Sequence, residues 1–111
     1  KSGNNTNGRK KNRGVVMSAE ELNEILEQVK LEQHTSPFQD DEELLGYIKE
    51  GIFDINTIVG AEINYSEDLQ ARTLLKNYVL YANFKKTAEF KEVYGGEYVF
   101  LQAKYYKSAS V

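Results

Sequence analysis

With 111 residues, no cysteine and a formal net charge of −3, the chain can close one small hydrophobic core but has no disulfide staple, thiolate metal site or thiol nucleophile. An intracellular origin is compatible with the missing cysteines. No apolar run approaches the ~18 residues of a membrane helix, and no basic, apolar, small-residue succession resembles a secretory signal, so a soluble product is expected.

Residues 1–17 carry Lys1, Arg9, Lys10, Lys11 and Arg13 with no acid, amid glycine and asparagine. Too few apolar side chains are present to offset ordering entropy, so the segment reads as a flexible basic leader. Vector-derived or otherwise incidental sequence is the preferred origin, and Met17-Ser18 resembles a natural start. The competing reading is a basic arm in which Arg9, Lys10, Lys11 and Arg13 contact phosphates, non-specifically and with strong salt dependence. The folded domain is then residues 18–111.

That domain has two halves of opposite sign. Residues 18–68 hold 14 acids against Lys30 and Lys49, whereas from Leu69 onward seven basic residues face three acids, a balance of +4. Such polarity can organise packing within one subunit or order the association of neighbours. It also sets the acidic half against any duplex laid across the whole molecule.

The first predicted helix spans Ala19 to about Gln33. Ser18 and Glu21 form a capping box, and Leu22, Ile25, Leu26 and Val29 make an apolar stripe. Pro37 interrupts the pattern after His34, and Asp40 caps a second helix from Asp41 towards Val59, with Glu43 at its favourable third position. Its buried set is Leu44, Leu45, Ile48, Ile52, Ile55 and Val59. Gly46 and Gly51 each offer close helix packing, and Gly60 is the terminator.

A link from Ala61 to Tyr65 leads to a capping sequence beginning at Ser66, with Glu67 and Asp68 fitting the positive helix terminus, and to a third helix. Leu74, Leu75, Tyr78, Tyr81 and Ala82 form one face, and Val79, Leu80 and Phe84 extend apolar coverage around more of the circumference. Coverage that broad predicts either a central helix or one facing another subunit. Beyond it, Phe90, Tyr94, Tyr98, Leu101 and Tyr105 keep helical spacing across Gly95-Gly96, although the paired glycines also resemble a hairpin turn. The expected fold is all-α, a small bundle of three to four helices with a break or short hairpin at Gly95-Gly96.

Seven of the eight tyrosines fall between Tyr65 and Tyr106, a density that suits interlocking contact surfaces better than a catalytic cleft. The only histidine, His34, has no companion nucleophile or base in the sequence pattern. Asp40, Asp41, Glu42 and Glu43 project in different directions from a helix start and read as capping and helix-terminal charge rather than a cation loop. The glycines form no phosphate-binding fingerprint. No catalytic residue, cofactor site or metal site is expected, and the chain reads as a non-enzyme. Arg72, Lys76, Lys85 and Lys86 are the later basic groups available to nucleic acid.

The acidic start DDEELLGYI, the glycine-ended second helix and the stretch ARTLLKNYVLYANFKKTAEFKEVY together resemble head-tail connector proteins of tailed bacteriophages, over about Ser18 to Tyr105. The resemblance implies a small helical subunit that assembles as a ring beneath the portal after genome packaging, extends the DNA channel and docks the next connector or tail component. Its implied partners are the portal protein, an adjacent connector or tail-completion protein, further copies of itself and, in passing, DNA. A monomer in isolation, no membrane, and residence in the virion and in the host cytoplasm during assembly go with that reading. Arg72, Leu75, Tyr78, Tyr81, Phe90 and Tyr94 match the packed adaptor body, and Leu44, Leu45 and Ile48 the second-helix core; Leu80 and Phe84 join them as packing or assembly residues. The basic leader and Gly95-Gly96 depart from the family pattern. The alternative is a helical regulatory or protein-interaction module with peripheral, non-specific DNA binding.

Overall fold

Ser18 opens the first helix as the sequence predicts: its hydroxyl accepts from the Glu21 N–H at 3.1 Å, and the Glu21 carboxylate accepts from the Ser18 N–H at 2.9 Å. The computed structural model describes residues 17–110, with side chains through Tyr106. Five helices follow in order: α1 (Ala19–Gln33), α2 (Asp41–Val59), α3 (Leu69–Asn83), α4 (Thr87–Val93) and α5 (Gly95–Ser110). Among the described residues there is no strand, so the fold is all-α.

The expected three to four helices are thus too few, and two local events account for the difference. Lys85 turns left-handed (φ 62°), and the Lys86 N–H returns to the Tyr81 carbonyl at 2.8 Å, which ends α3 sharply. The following segment then divides. Tyr94 leaves helical geometry (φ −105°, ψ 18°) while its N–H stays on the Phe90 carbonyl, and its own carbonyl accepts from Glu97 and Tyr98 at 2.9 and 3.3 Å, starting α5. The break therefore falls at Tyr94, one residue before the glycines. Gly95 and Gly96 form the first turn of a helix, not a hairpin. The change of direction lets Tyr94 and Tyr98 both reach Phe90, with ring centroids 4.8 and 6.1 Å away.

Asp40 and Gly60 bound α2 as expected, Asp40 accepting from the Glu42 N–H and Gly60 taking φ 85°. The cap of α3 is Asp68 rather than Ser66: the Asp68 carboxylate accepts from the Ala71 N–H at 3.1 Å. Ser66 instead donates its hydroxyl to Glu21 at 3.1 Å, tying the α2–α3 link to the start of α1.

The pairings fix the helix directions. Tyr78 meets Glu50 and Lys85 meets Tyr47, so α2 and α3 run antiparallel. Glu24 meets Arg72 and Glu32 meets Lys76, so α1 and α3 run parallel. Gly51 makes the α2–α3 approach possible, since a Cβ there would lie 2.7 Å from Leu75 Cδ1 and 2.9 Å from Tyr78 Cδ1. Gly46 has nothing within 4 Å of the equivalent point and no part in helix packing. Around this seam Ile25, Val29, Leu44, Ile48, Ile55, Leu75, Val79, Phe90 and Leu101 are completely buried. The α5 helix lies on α2, Tyr98 reaching Asp54 and Gln102 the Ile58 carbonyl.

Candidate assembly surfaces

Many of the residues expected to serve packing or assembly lie inside the subunit. Leu44, Ile48, Leu75, Tyr78 and Phe90 belong to the core. Phe90 is its aromatic hub, edge-on to Tyr78 at 5.3 Å and to Tyr81 at 5.5 Å. Arg72, 8% exposed, donates from Nε to the Tyr65 carbonyl at 2.9 Å and lies 3.6 Å from Glu24. A buried guanidinium held this way fastens the α2–α3 link to α3 and is not presented to a partner. Leu45, Tyr81 and Tyr94 are half-buried against the core. Leu80 and Phe84 reach solvent, lining a shallow hollow with Tyr81 and Lys86. Arg9, Lys10, Lys11 and Arg13 lie outside the described residues.

The later basic groups are also engaged. Lys76 bridges to Glu32 at 3.1 Å, Lys85 donates to the Tyr47 hydroxyl at 3.0 Å, and Lys86 pairs with Glu89 at 3.5 Å. In the acidic run, Asp40 caps α2, Asp41 accepts from Lys30 and Glu43 accepts from Gln39 and Tyr47. His34 closes α1 in a left-handed conformation. Among the described residues no group of three or more His, Cys, Asp or Glu side chains is placed to hold a metal ion, and no helix is long and apolar enough to cross a membrane.

The two oppositely charged halves meet along a seam of phenol–carboxylate bonds. Tyr78 donates to Glu50 at 3.0 Å, Tyr98 to Asp54 at 3.0 Å and Tyr105 to Asp68 at 2.6 Å. Lys91 joins Tyr98 on Asp54, and Lys104 joins Tyr105 on Asp68. Burial pushes the phenols of Tyr78, Tyr98 and Tyr105 well above their usual range, and the neighbouring carboxylates push the same way. They therefore remain donors at every physiological pH. Burial alone would raise the Asp68 carboxyl; the bonds from Tyr105, Lys104 and the Ala71 N–H outweigh it and hold the group below its usual range.

Among the described residues, and besides the Leu80–Phe84 hollow, two apolar surfaces have no partner within the subunit. On one flank an open groove of about 600 Å³ runs between the start of α1 and α2, lined by Met17, Leu22, Ile52, Phe53, Asn56 and Ala61, with Lys49 and Glu62 also on its wall. Phe53 is 74% exposed there. On the other flank α5 carries a second apolar face. Tyr98, Leu101 and Tyr105 pack inward, while Val99, Phe100 and Tyr106 are 62%, 54% and 74% exposed and Ala103 is exposed between them. Asp54 and Ile58, which hold α5, and Phe53 and Asn56, which line the groove, are separated by roughly 100–160° around α2 at 3.6 residues per turn. The groove and the outer face of α5 thus look away from each other.

Sequence reasoning missed both surfaces. The spacing of Val99, Ala103 and Tyr106 is a legible helical stripe, but it interleaves with the inward stripe through Leu101 and Tyr105, and only the packing tells the two apart. The groove had no signal, because Met17, Phe53 and Ala61 come together only through the fold. No protein-family model, curated protein or solved structure matches the chain.

Proposed function

We propose that this chain is a structural subunit of a tailed-phage head-tail connector, repeated as a ring that joins the portal to the next connector or tail component and extends the DNA channel. The observation that supports it most directly is the pair of apolar surfaces on opposite flanks of a subunit whose own core is already closed. A subunit that met a single partner would need only one such surface, whereas each member of a ring meets two neighbours through different faces. The resemblance of DDEELLGYI and ARTLLKNYVLYANFKKTAEFKEVY to connector sequences supplies the portal as the partner. On this reading the protein acts in the virion, reaches it from the host cytoplasm, and works by adhesion without chemistry.

The test mixes the purified protein with portal-bearing, DNA-filled capsids and images the portal vertex. Ring-shaped density at the portal, lost when the portal is removed, is the expected result. Failure of the protein to associate in a portal-dependent way under assembly-competent conditions rejects the connector role.

A further inference from the structure

We propose that α5 is an exchangeable arm: with Tyr94 straightened, α4 and α5 run on as one helix, and the inner face of α5 docks on α2 of a second copy. The exchange concerns the chain in solution and does not rest on the connector role.

The break between α4 and α5 is confined to one residue and leaves the helical pattern of the sequence intact. On a straight helix Phe90, Tyr94, Tyr98, Leu101 and Tyr105 fall within roughly 80° of one another at 3.6 residues per turn. Between Thr87 and Ser110 Tyr94 alone lies outside the two helices, at φ −105° and ψ 18°, and its N–H still bonds the Phe90 carbonyl at 2.8 Å. Beyond it the ladder restarts with the Glu97 N–H on the Tyr94 carbonyl at 2.9 Å. A straight helix instead gives the N–H groups of Gly95, Gly96 and Glu97 the carbonyls of Lys91, Glu92 and Val93. Straightening therefore completes the ladder and joins two half-stripes into one. A Cβ at Gly95 or Gly96 would meet nothing within 4 Å, so no neighbour wedges that side of the hinge.

What holds the bend lies beyond the hinge. Tyr98 donates to Asp54, Gln102 to the Ile58 carbonyl, and Tyr105 and Lys104 to Asp68, while Leu101 is fully buried. These acceptors belong to α2 and to the cap of α3. The Tyr98–Phe90 ring contact at 6.1 Å also belongs to the bend, because a straight helix sets the two residues roughly 12 Å apart along its axis.

A second copy meets all of these demands. Its α2 and its α3 cap present the same Asp54, Ile58 carbonyl and Asp68 in the same arrangement, so each contact given up within the subunit is remade between subunits. A lone chain with a straight α4–α5 leaves Tyr98, Leu101 and Tyr105 in water and folds back on itself. Exchange is therefore driven by protein concentration, as for any element swapped between identical chains about a short hinge.

The chain has no cysteine, so a crosslink across the α2–α5 contact reports which copy α5 sits on. I58C and Q102C are made singly and together, checked for parental helicity by circular dichroism, refolded from urea at low and high concentration, separated by size and treated with a short bis-maleimide. The double variant should link within the chain in the monomer fraction and between chains in the self-associated fraction. The two single variants refolded as a mixture should give a linked dimer. Carbodiimide coupling of native Lys104 to Asp68 in mixed isotope-labelled and unlabelled chains gives the same reading without substitution.

Two hinge variants test the straightening. Proline at Gly96 is tolerated in the first turn of α5 but clashes with the Glu92 carbonyl in a continuous helix, so Gly96→Pro should lower the exchanged fraction at least about tenfold. Gly95→Ala/Gly96→Ala favours a helix interior and should raise it; it carries the test alone if Gly96→Pro loses its fold. A chain that stays monomeric at high concentration, or an associated fraction linked only within chains, overturns the exchange and leaves the connector role standing. Exchange that ignores the hinge variants overturns the straightening of Tyr94.

Discussion

Helices α3 and α5 both carry apolar residues around more of their circumference than a one-sided surface helix needs, yet they reach that state for different reasons. Around α3 most of the coverage is consumed within the subunit: α1, α2 and α4 pack on it, and Leu74, Leu75, Tyr78, Val79 and Ala82 are all buried, with Leu80 and Phe84 left at the surface. Around α5 only the side towards α2 and α4 is covered, and Val99, Phe100 and Tyr106 stay in solvent. The same pattern thus marks a central helix in one place and an unpartnered surface in the other. What separates them is the number of neighbouring elements, which follows from topology and not from the stripe itself.

The sharpest way to test the closed character of the α3 side is to remove its hub. Phe90 is fully buried among Tyr78, Tyr81, Tyr94 and Tyr98. Phe90→Ala forfeits both its transfer energy and the surrounding ring contacts, and should cost about 3–5 kcal/mol of stability in urea unfolding. A loss below about 1 kcal/mol would show that α4 and the start of α5 are not cooperatively packed on α3.

Next in size is the glycine pair in α2. Alanine at Gly51 gains about 1 kcal/mol in helix propensity but must displace Leu75 and Tyr78, an overpacking cost of about 1–3 kcal/mol, so Gly51→Ala should be destabilising by about 1 kcal/mol net. At Gly46 the same substitution meets open space and should stabilise by about 0.5–1 kcal/mol. Opposite signs in parallel urea titrations are the expected outcome; equal signs would mean that the α2–α3 seam yields readily.

The attachment of α5 can be weakened without touching the core. Asp68→Asn preserves a competent helix cap but removes the charge that accepts from Tyr105 and Lys104. The Asp68 carboxyl lies below its ordinary value of 3.8 in the folded protein, so its contribution is present above that value and is lost as pH falls through the lowered one. Asp68→Asn should therefore cost about 1 kcal/mol at neutral pH, a modest figure because Lys104 is exposed to solvent. The gap between the two proteins should close in acid. A gap independent of pH would assign the effect to the altered cap.

The first two helices were legible almost to the residue because their boundaries are written in side chains: Ser18 with Glu21, Asp40, and Gly60. The α3 cap was misplaced by two residues because Ser66 and Asp68 are both competent caps, and Ser66 is drawn away by Glu21, a residue 45 positions earlier. The division of the last segment was harder still. Glycines attract attention as breakers, but the break sits at Tyr94, one of four aromatic rings that converge on Phe90, and that convergence depends on contacts distant in sequence. Arg72 illustrates the same limit at the candidate surfaces: its charge suggests an exposed contact, while the fold buries it against the Tyr65 carbonyl.

The smallest effects on stability are expected at the two exposed apolar surfaces. Phe53 and Tyr106, on the groove and on the outer face of α5, are each 74% exposed, and glutamine has the better helix propensity. Phe53→Gln and Tyr106→Gln should therefore change the unfolding free energy by no more than about 0.5 kcal/mol. Their consequence belongs to association: on the ring reading either change alone should weaken self-assembly, because each removes one contact surface. If the two surfaces meet each other between neighbours, combining the changes adds little, since a contact already lost cannot be lost again. Sedimentation measurements on both single variants and the double variant separate this outcome from two independent surfaces, for which the losses would add.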